Sequence, residues 1–255
     1  TTHYVDERLK VLSRQGKCTF HASARGHEKV QVGMTLLLKP RQDWFFTYYR
    51  EKGIAIGLGM PLRDIFLGML SRGGDPNSNG RNMPEQFSSR ELNLVAQTAC
   101  TGTQYLPAVG VAAALAREGS DAVVYVSSGE GATSEGEFFE ALNWAARDRL
   151  PVLFVVQNNG YAISVPQSCQ TGSEIHRIAR GFGMPAFDID GTWFEPMYQT
   201  LPPVIEQMRD GGGPALVEAR VVRMDSHSSS DDQRKYRSTE ELADLVRQDP
   251  IYQTE

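Results

Sequence analysis

Gly129-Glu130-Gly131-Ala132-Thr133-Ser134-Glu135-Gly136, a helical pattern, an apolar run, and then Gln157-Asn158-Asn159-Gly160-Tyr161-Ala162-Ile163-Ser164 form the stretch that decides how this chain folds. Just before it, Ala122-Val123-Val124-Tyr125-Val126 is a continuous, largely β-branched run, as expected of a strand buried on both faces of a parallel sheet. Ser134 with Glu137 three residues on reads as a capping box. Phe138, Ala141, Leu142 and Ala145 share one face of the helix it would start, and Arg147 and Arg149 suit its C-terminal end. Pro151 precedes Val152-Leu153-Phe154-Val155-Val156, a second buried strand. Strand, glycine turn, helix and strand make a βαβ unit with a right-handed crossover. The fold class is therefore α/β, a mostly parallel sheet with helices on both faces.

The flanks are read relative to that unit. Residues 4 to 15 have the spacing of an amphipathic helix, with Gly16 as a stop. A polar turn over 24 to 33 feeds a helix through Leu38, and the aromatic segment from Asp43 to Glu51 reads as a short strand. Pro61 to Leu70 suits a helix with Pro in its first turn. Gly73 to Arg90 is rich in Gly, Asn, Pro and Ser, so a surface loop is expected there, either a connector or a functional loop. Pro107 to Arg117 reads as a helix of small side chains. Downstream, 186 to 190 and 215 to 222 are further strands. Between them a helix runs to Arg209, and its interior Pro202-Pro203 is expected to strain or break it. The polar segment from Asp225 to Arg237 is expected to be irregular. No repeat or linker splits residues 1 to 255, which are read as a single domain, as a piece of a longer polypeptide cut at both ends.

Bulk properties exclude several classes. With 255 residues, 40% of them hydrophobic and 22% charged, the chain can bury a core. A formal charge of -5 argues against a nucleic-acid partner. Three cysteines, far apart and without a C-x-x-C, argue against a disulfide framework or a zinc site. No apolar run is long enough for a membrane span, and the first residues do not form a signal peptide. A soluble, intracellular protein is the expectation.

The central unit places Glu130 and Asn159 at the carboxyl ends of two parallel strands, the edge where open α/β sheets bind ligands. Mg²⁺ prefers oxygen ligands, commonly one or two from protein with the rest from phosphates and water. The Glu130 carboxylate, the Asn159 amide oxygen and a main-chain carbonyl near Tyr161 are the candidate ligands. Gly129 and Gly131 would let the backbone approach a diphosphate, and the helix N-terminus at Ser134 would face it. Gly131-x4-Gly136 has the Walker A glycine spacing, but Glu137 stands where Lys is required; the dinucleotide fingerprint fails because Ser134 occupies its third glycine. Each half alone is also what a tight turn looks like. Both on one βαβ unit favour the ligand reading.

These residues carry a family resemblance. The stretch resembles the thiamine diphosphate motif, G-D-G followed by N-N, and within it the α subunit of the decarboxylase component of 2-oxo acid dehydrogenases. The likeness extends to Tyr49-Arg50, Met83-Pro84, Thr103-Gln104 through Pro107, and His227-Ser228-Ser229-Ser230-Asp231-Asp232 with Tyr236-Arg237-Ser238. Glu130 replaces the usual Asp, which resembles the branched-chain members more than the pyruvate members. Gln157 stands where some relatives carry a basic side chain, and the family's C-terminal helical region does not follow Tyr252.

The resemblance implies a thiamine diphosphate-binding fold and a site for that cofactor and Mg²⁺. Metal ligands would be Glu130, Asn159 and Tyr161. Cofactor contacts would come from Tyr49, Arg50, Gly129, Glu130, Gly131, Ala132, Asn159, Tyr161 and His227, with His227 also in a catalytic role. It implies an oxidoreductase of the oxo group, decarboxylating a branched-chain 2-oxo acid and passing the acyl unit to lipoamide on an acyltransferase. It also implies a β subunit, separate or fused, in an α2β2 assembly, in bacterial cytoplasm or the mitochondrial matrix of a eukaryote. Plainer readings make His227 a solvated loop histidine, Tyr49-Arg50 a strand end and Ser228 part of a Ser-rich loop instead of a phosphorylation site. Rival functions are a pyruvate or acetoin dehydrogenase α subunit, a transketolase-like enzyme, and a scaffold that binds no cofactor.

Overall fold

The order of apolar residues along the strands sorts the core into two layers, one on each side of a single sheet. In the computed structural model, which describes residues 1–254, the chain starts with α1 (Thr2–Arg14) and α2 (Glu28–Leu37). It enters the sheet at β1 (Trp44–Phe46) and passes through the short helices α3 (Lys52–Gly57) and α4 (Leu62–Met69). A long loop leads to α5 (Tyr105–Arg117). Next come β2 (Val124–Gly129), a 3-10 turn over Glu130–Ser134, α6 (Gly136–Asp148) and β3 (Val152–Asn158). A small antiparallel hairpin of β4 (Tyr161–Ala162) and β5 (Val165–Pro166) follows, then α7 (Ile175–Gly181), β6 (Ala186–Asp190), α8 (Glu195–Arg209), β7 (Ala215–Arg220) and α9 (Thr239–Leu245).

The main sheet has the order β1-β2-β3-β7-β6, and every pairing in it is parallel. Val123, Tyr125, Leu153, Val155 and Val217 enter the layer that contains Leu9 of α1, Met34 of α2 and Leu201 of α8. Val124, Val126, Phe154, Val156 and Leu216 enter the other, with Val109 of α5, Phe138 of α6 and Ile175 of α7. Burying one large apolar side chain contributes about 1.5–3 kcal/mol. The two layers therefore outweigh the helix ends, and α6 has no side-chain cap at all.

That last point corrects the expected capping box. Thr133 Oγ1 donates to the Glu130 carbonyl at 2.7 Å within the 3-10 turn. Ser134 is the exposed last residue of that turn, and Glu135 occupies the N-cap of α6. The long helix therefore begins one tight turn away from Glu130. The strand expected over 43 to 51 is limited to Trp44–Phe46, so Tyr48, Tyr49 and Arg50 lie beyond its carboxyl end. The helix break expected at Pro202-Pro203 does not occur. The carbonyls these prolines leave without N–H partners belong to Tyr198 and Gln199, both exposed residues. The buried stripe Met197, Leu201, Ile205 and Met208 holds α8 in one piece. No helix among the described residues is long and apolar enough to cross a membrane.

Candidate functional site

Parallel pairing with Gly129 opposite Gln157 sets the ends of β2 and β3 side by side, so the residues that follow each strand meet. The main-chain N–H of Asn159 donates to Glu130 Oε2 at 3.1 Å. The two asparagines of the pair have separate jobs. Asn158 donates its amide to Glu218 Oε1 at 2.7 Å and Gln167 Oε1 at 2.9 Å, while its Oδ1 accepts the Gly160 N–H at 3.0 Å. Gly160 has φ +82, which an L side chain resists. Asn158 thereby locks the turn, and Asn159 is left to present its side chain.

A cavity of ≈ 340 Å³ opens at this edge, and it is lined by Tyr49, Arg50, Gly129, Glu130, Gly131, Ala132, Asn159, Tyr161 and His227. These are all of the site residues nominated from the sequence. Met83, Pro84, Gln86, Gln104 and Tyr48 complete much of the wall. Gly129 leaves space: a Cβ there would meet only Tyr48, at 4.0 Å. Gly131 has another reason than the one expected. A Cβ would lie 2.5 Å from Ala162 Cβ, so Gly131 is required by the close approach of β4 to the 3-10 turn.

Buried polar atoms are normally paired. Here Glu130 Oε1 and Asn159 Oδ1 are buried and have no partner. Glu130 is 2% exposed, and burial pushes its pKa up, against the opposing pull of backbone N–H groups, Arg223 and Arg50. Two unpartnered hard oxygens on adjacent strand ends fit a divalent cation of the Mg²⁺ type. Tyr161 lines the same cavity, and its carbonyl accepts from Arg223 Nη1 at 3.5 Å.

Positive charge here also lacks a carboxylate in contact. Arg50 is 2% exposed and donates to the carbonyls of Ser23 at 2.6 Å and His227 at 3.2 Å, with no carboxylate within 4.0 Å among the described residues. Arg223, equally buried, donates to the Tyr236 hydroxyl at 2.8 Å, and its Nε has no partner. A buried guanidinium without a counter-charge suits a phosphate. Arg223 was not nominated from the sequence. Its place just beyond β7, four residues before His227, is the available signal.

His227 is held by its main chain: its N–H donates to Asp231 Oδ2 at 2.8 Å, and its ring meets Tyr49 edge-on at 5.9 Å. Burial, and then the Arg50 and Arg223 cations, push its pKa down to about 4. Its Nδ1 lies 3.4 Å from Arg50 Nη2, which can only donate, so this contact assigns the proton of the neutral ring to Nε2. Gln157 turns away from the cavity. Its amide donates to Glu51, and its Oε1 accepts from His27 at 2.9 Å and Gln31 at 3.1 Å. Among the described residues there is no cluster of three or more His, Cys, Asp or Glu that would mark a metal centre built from those side chains alone.

The family profile of the Dehydrogenase E1 component matches residues 1–254. The chain belongs to that family. This E1 component chain is 38% identical over 248 residues to the 2-oxoisovalerate dehydrogenase subunit alpha of Bacillus subtilis, covering 97% of this chain and 75% of that protein. It is 34% identical over 252 residues to the pyruvate dehydrogenase E1 component subunit alpha of Staphylococcus aureus, covering 98% and 65%. With the 3-methyl-2-oxobutanoate dehydrogenase subunit alpha of Mycobacterium tuberculosis it shares 37% over 251 residues, again 98% and 65%. The chain thus spans about two thirds to three quarters of these curated relatives' length. A solved structure from Mycobacterium smegmatis, described as a thiamin diphosphate-dependent enzyme, superposes with TM-score 0.51 at 19% identity, over 78% of this chain and 32% of that one. At that identity the likeness is one of fold.

Proposed function

We propose that this chain is the α subunit of a thiamine diphosphate-dependent 2-oxo acid dehydrogenase and holds the cofactor's Mg²⁺ and diphosphate. The observation that carries the reading is the pair of buried, unpartnered oxygens, Glu130 Oε1 and Asn159 Oδ1, in an E1 component chain. Glu130, Asn159 and the Tyr161 carbonyl would hold the cation, and Arg50, backed by Arg223, would neutralise the diphosphate. Thiamine diphosphate, when bound, supplies the ring that takes up the electron pair released as a 2-oxo acid loses CO₂. His227, kept neutral at physiological pH, presents its Nε2–H as a hydrogen-bond donor within the cavity.

A branched-chain 2-oxo acid is the favoured substrate, supported by Glu130 in place of Asp and by the identity to the 2-oxoisovalerate relative. The same reading includes a β subunit that completes the site in an α2β2 assembly and a lipoyl-bearing acyltransferase that receives the acyl unit. Its test is reconstitution with the matching β subunit, with dye-coupled oxidative decarboxylation of 3-methyl-2-oxobutanoate and of pyruvate and dye-coupled cleavage of acetoin measured alongside calorimetric uptake of thiamine diphosphate with Mg²⁺. The branched acid is expected to give the highest kcat/KM. Turnover of acetoin alone, or no cofactor uptake by the assembly, overturns the reading.

A further inference from the structure

Behind the cavity wall, four ionisable side chains from distant parts of the chain meet in the interior. Lys52, on α3, has a fully buried side chain, and its Nζ lies 2.7 Å from Glu85 Oε1 and 3.1 Å from Asp6 Oδ1. It also donates to the Ala22 carbonyl at 2.7 Å. Glu85 Oε1 faces His21 Nδ1 at 2.9 Å, and Oε2 accepts the Ala22 N–H at 2.7 Å. Asp6 accepts from the Ser23 hydroxyl at 2.5 Å and the Ala24 N–H at 3.1 Å. Charges this deep are costly unless each is paired and hydrogen-bonded, and here both carboxylates and the ammonium are.

The backbone shows what the cluster restrains. Glu85 stands between Pro84 and Gln86, both in the cavity wall, yet its own side chain points to the opposite side, into the cluster. Its φ is +73, a left-handed conformation that a residue with a Cβ adopts only under constraint. On the other side, Lys52 follows Arg50 by two residues, and Arg50 donates to the carbonyl of Ser23, a member of the same cluster. One buried ammonium therefore ties the wall made by Met83, Pro84 and Gln86 to the wall made by Tyr49 and Arg50.

We infer that Lys52 and Glu85 are positioning residues whose buried ion pair holds the 83–86 segment in the shape that forms the cofactor cavity. Neither lines the cavity, so their removal loosens the wall without removing a lining side chain. The affinity arm of the test rests on the proposed cofactor reading; the backbone arm does not.

The experiment uses the assembled α and β subunits carrying Glu85→Gln, which keeps shape and loses charge, or Glu85→Gly, which accepts a positive φ and loses the clamp. Hydrogen exchange of the cofactor-free assembly is followed by mass spectrometry, and thiamine diphosphate affinity is measured with Mg²⁺. Both variants are expected to exchange faster across residues 83–88, with β2 and β3 unchanged. Affinity should fall roughly tenfold or more, as for other residues that orient a site indirectly, while kcat at saturating cofactor stays within about twofold. Unchanged exchange in 83–88 in both variants overturns the inference. Faster exchange in an assembly whose wild type takes up no cofactor supports the clamp and overturns the cofactor reading instead, so the two failures are separable.

Discussion

Glu130 and Glu51 are both buried carboxylates near the carboxyl edge of the sheet, and they differ in what faces them. Both oxygens of Glu51 are taken: Oε1 accepts from the Tyr125 hydroxyl at 2.5 Å and from Gln157, and Oε2 accepts from Ser127. Glu130 has one oxygen on the Asn159 N–H and one with no partner. A saturated buried acid belongs to the fold. An unsaturated one, beside a second unpartnered oxygen and arginines without counter-charges, is a place for a ligand. The same division separates Asn158, fully engaged, from Asn159, and Gln157 from Arg50.

The contrast breaks first at Glu51. Replacing it with Leu leaves the Tyr125 and Ser127 hydroxyls and the Gln157 amide without their acceptor, and should cost about 3 kcal/mol in urea unfolding of the chain. A loss near zero would remove the distinction. At Glu130 the expectation reverses. Glu130→Gln should leave the unfolding midpoint unchanged or raised, because burial already disfavours the charge there. It should weaken Mg²⁺-dependent cofactor binding by the assembled subunits roughly 100-fold, about 2.7 kcal/mol. Calorimetry with and without Mg²⁺ reads this directly, and equal affinity of both proteins would sink the cation assignment.

The smallest effect sharpens the comparison through pH. Burial and then Arg50 hold His27 down to about 3 and His227 to about 4, both below the unfolded value of 6.5. As pH falls below 6.5, the unfolded chain takes up protons that these folded histidines refuse, so stability falls. Burial raises Glu28 and Glu51 to about 7, above the unfolded 4.5, so their contribution rises as pH falls from 7 to 4.5. The four groups therefore nearly cancel between pH 6.5 and 4.5. Below 4.5 the two glutamates no longer offset the histidines, which should cost roughly 1.4 kcal/mol per pH unit for each one still neutral, and carboxylates held low by their partners, Asp6 and Glu218 among them, steepen the fall. Unfolding midpoints at pH 7, 5 and 3.5 check the profile, and His27→Gln should flatten its acid limb.

Much of this is legible in the amino-acid sequence. The parallel core strands β2, β3, β6 and β7 follow from apolar runs with local stop signals, and Glu130 and Asn159 from two short motifs on one βαβ unit. Short elements were missed: α3, the β4–β5 hairpin, α7 and α9 are too brief for a hydrophobic period to register. Position within a turn also escaped, so the cap was assigned to Ser134 although the 3-10 turn moves it to Glu135. The missing N–H groups of Pro202 and Pro203 are visible in the sequence, but that the residues whose carbonyls they orphan lie on the exposed face of α8 is not.

The opening stretch thus determined, from the sequence alone, which strands pair and which oxygens gather at their ends, because those relations lie within one βαβ unit. Which of two adjacent asparagines is free, that Gly131 serves Ala162, that Arg223 stands behind Tyr161, and that Lys52 meets Glu85 and Asp6 were decided only by the tertiary structure. Those contacts join residues far apart in the chain, and burial alone turns an ordinary polar side chain there into one that must find a partner.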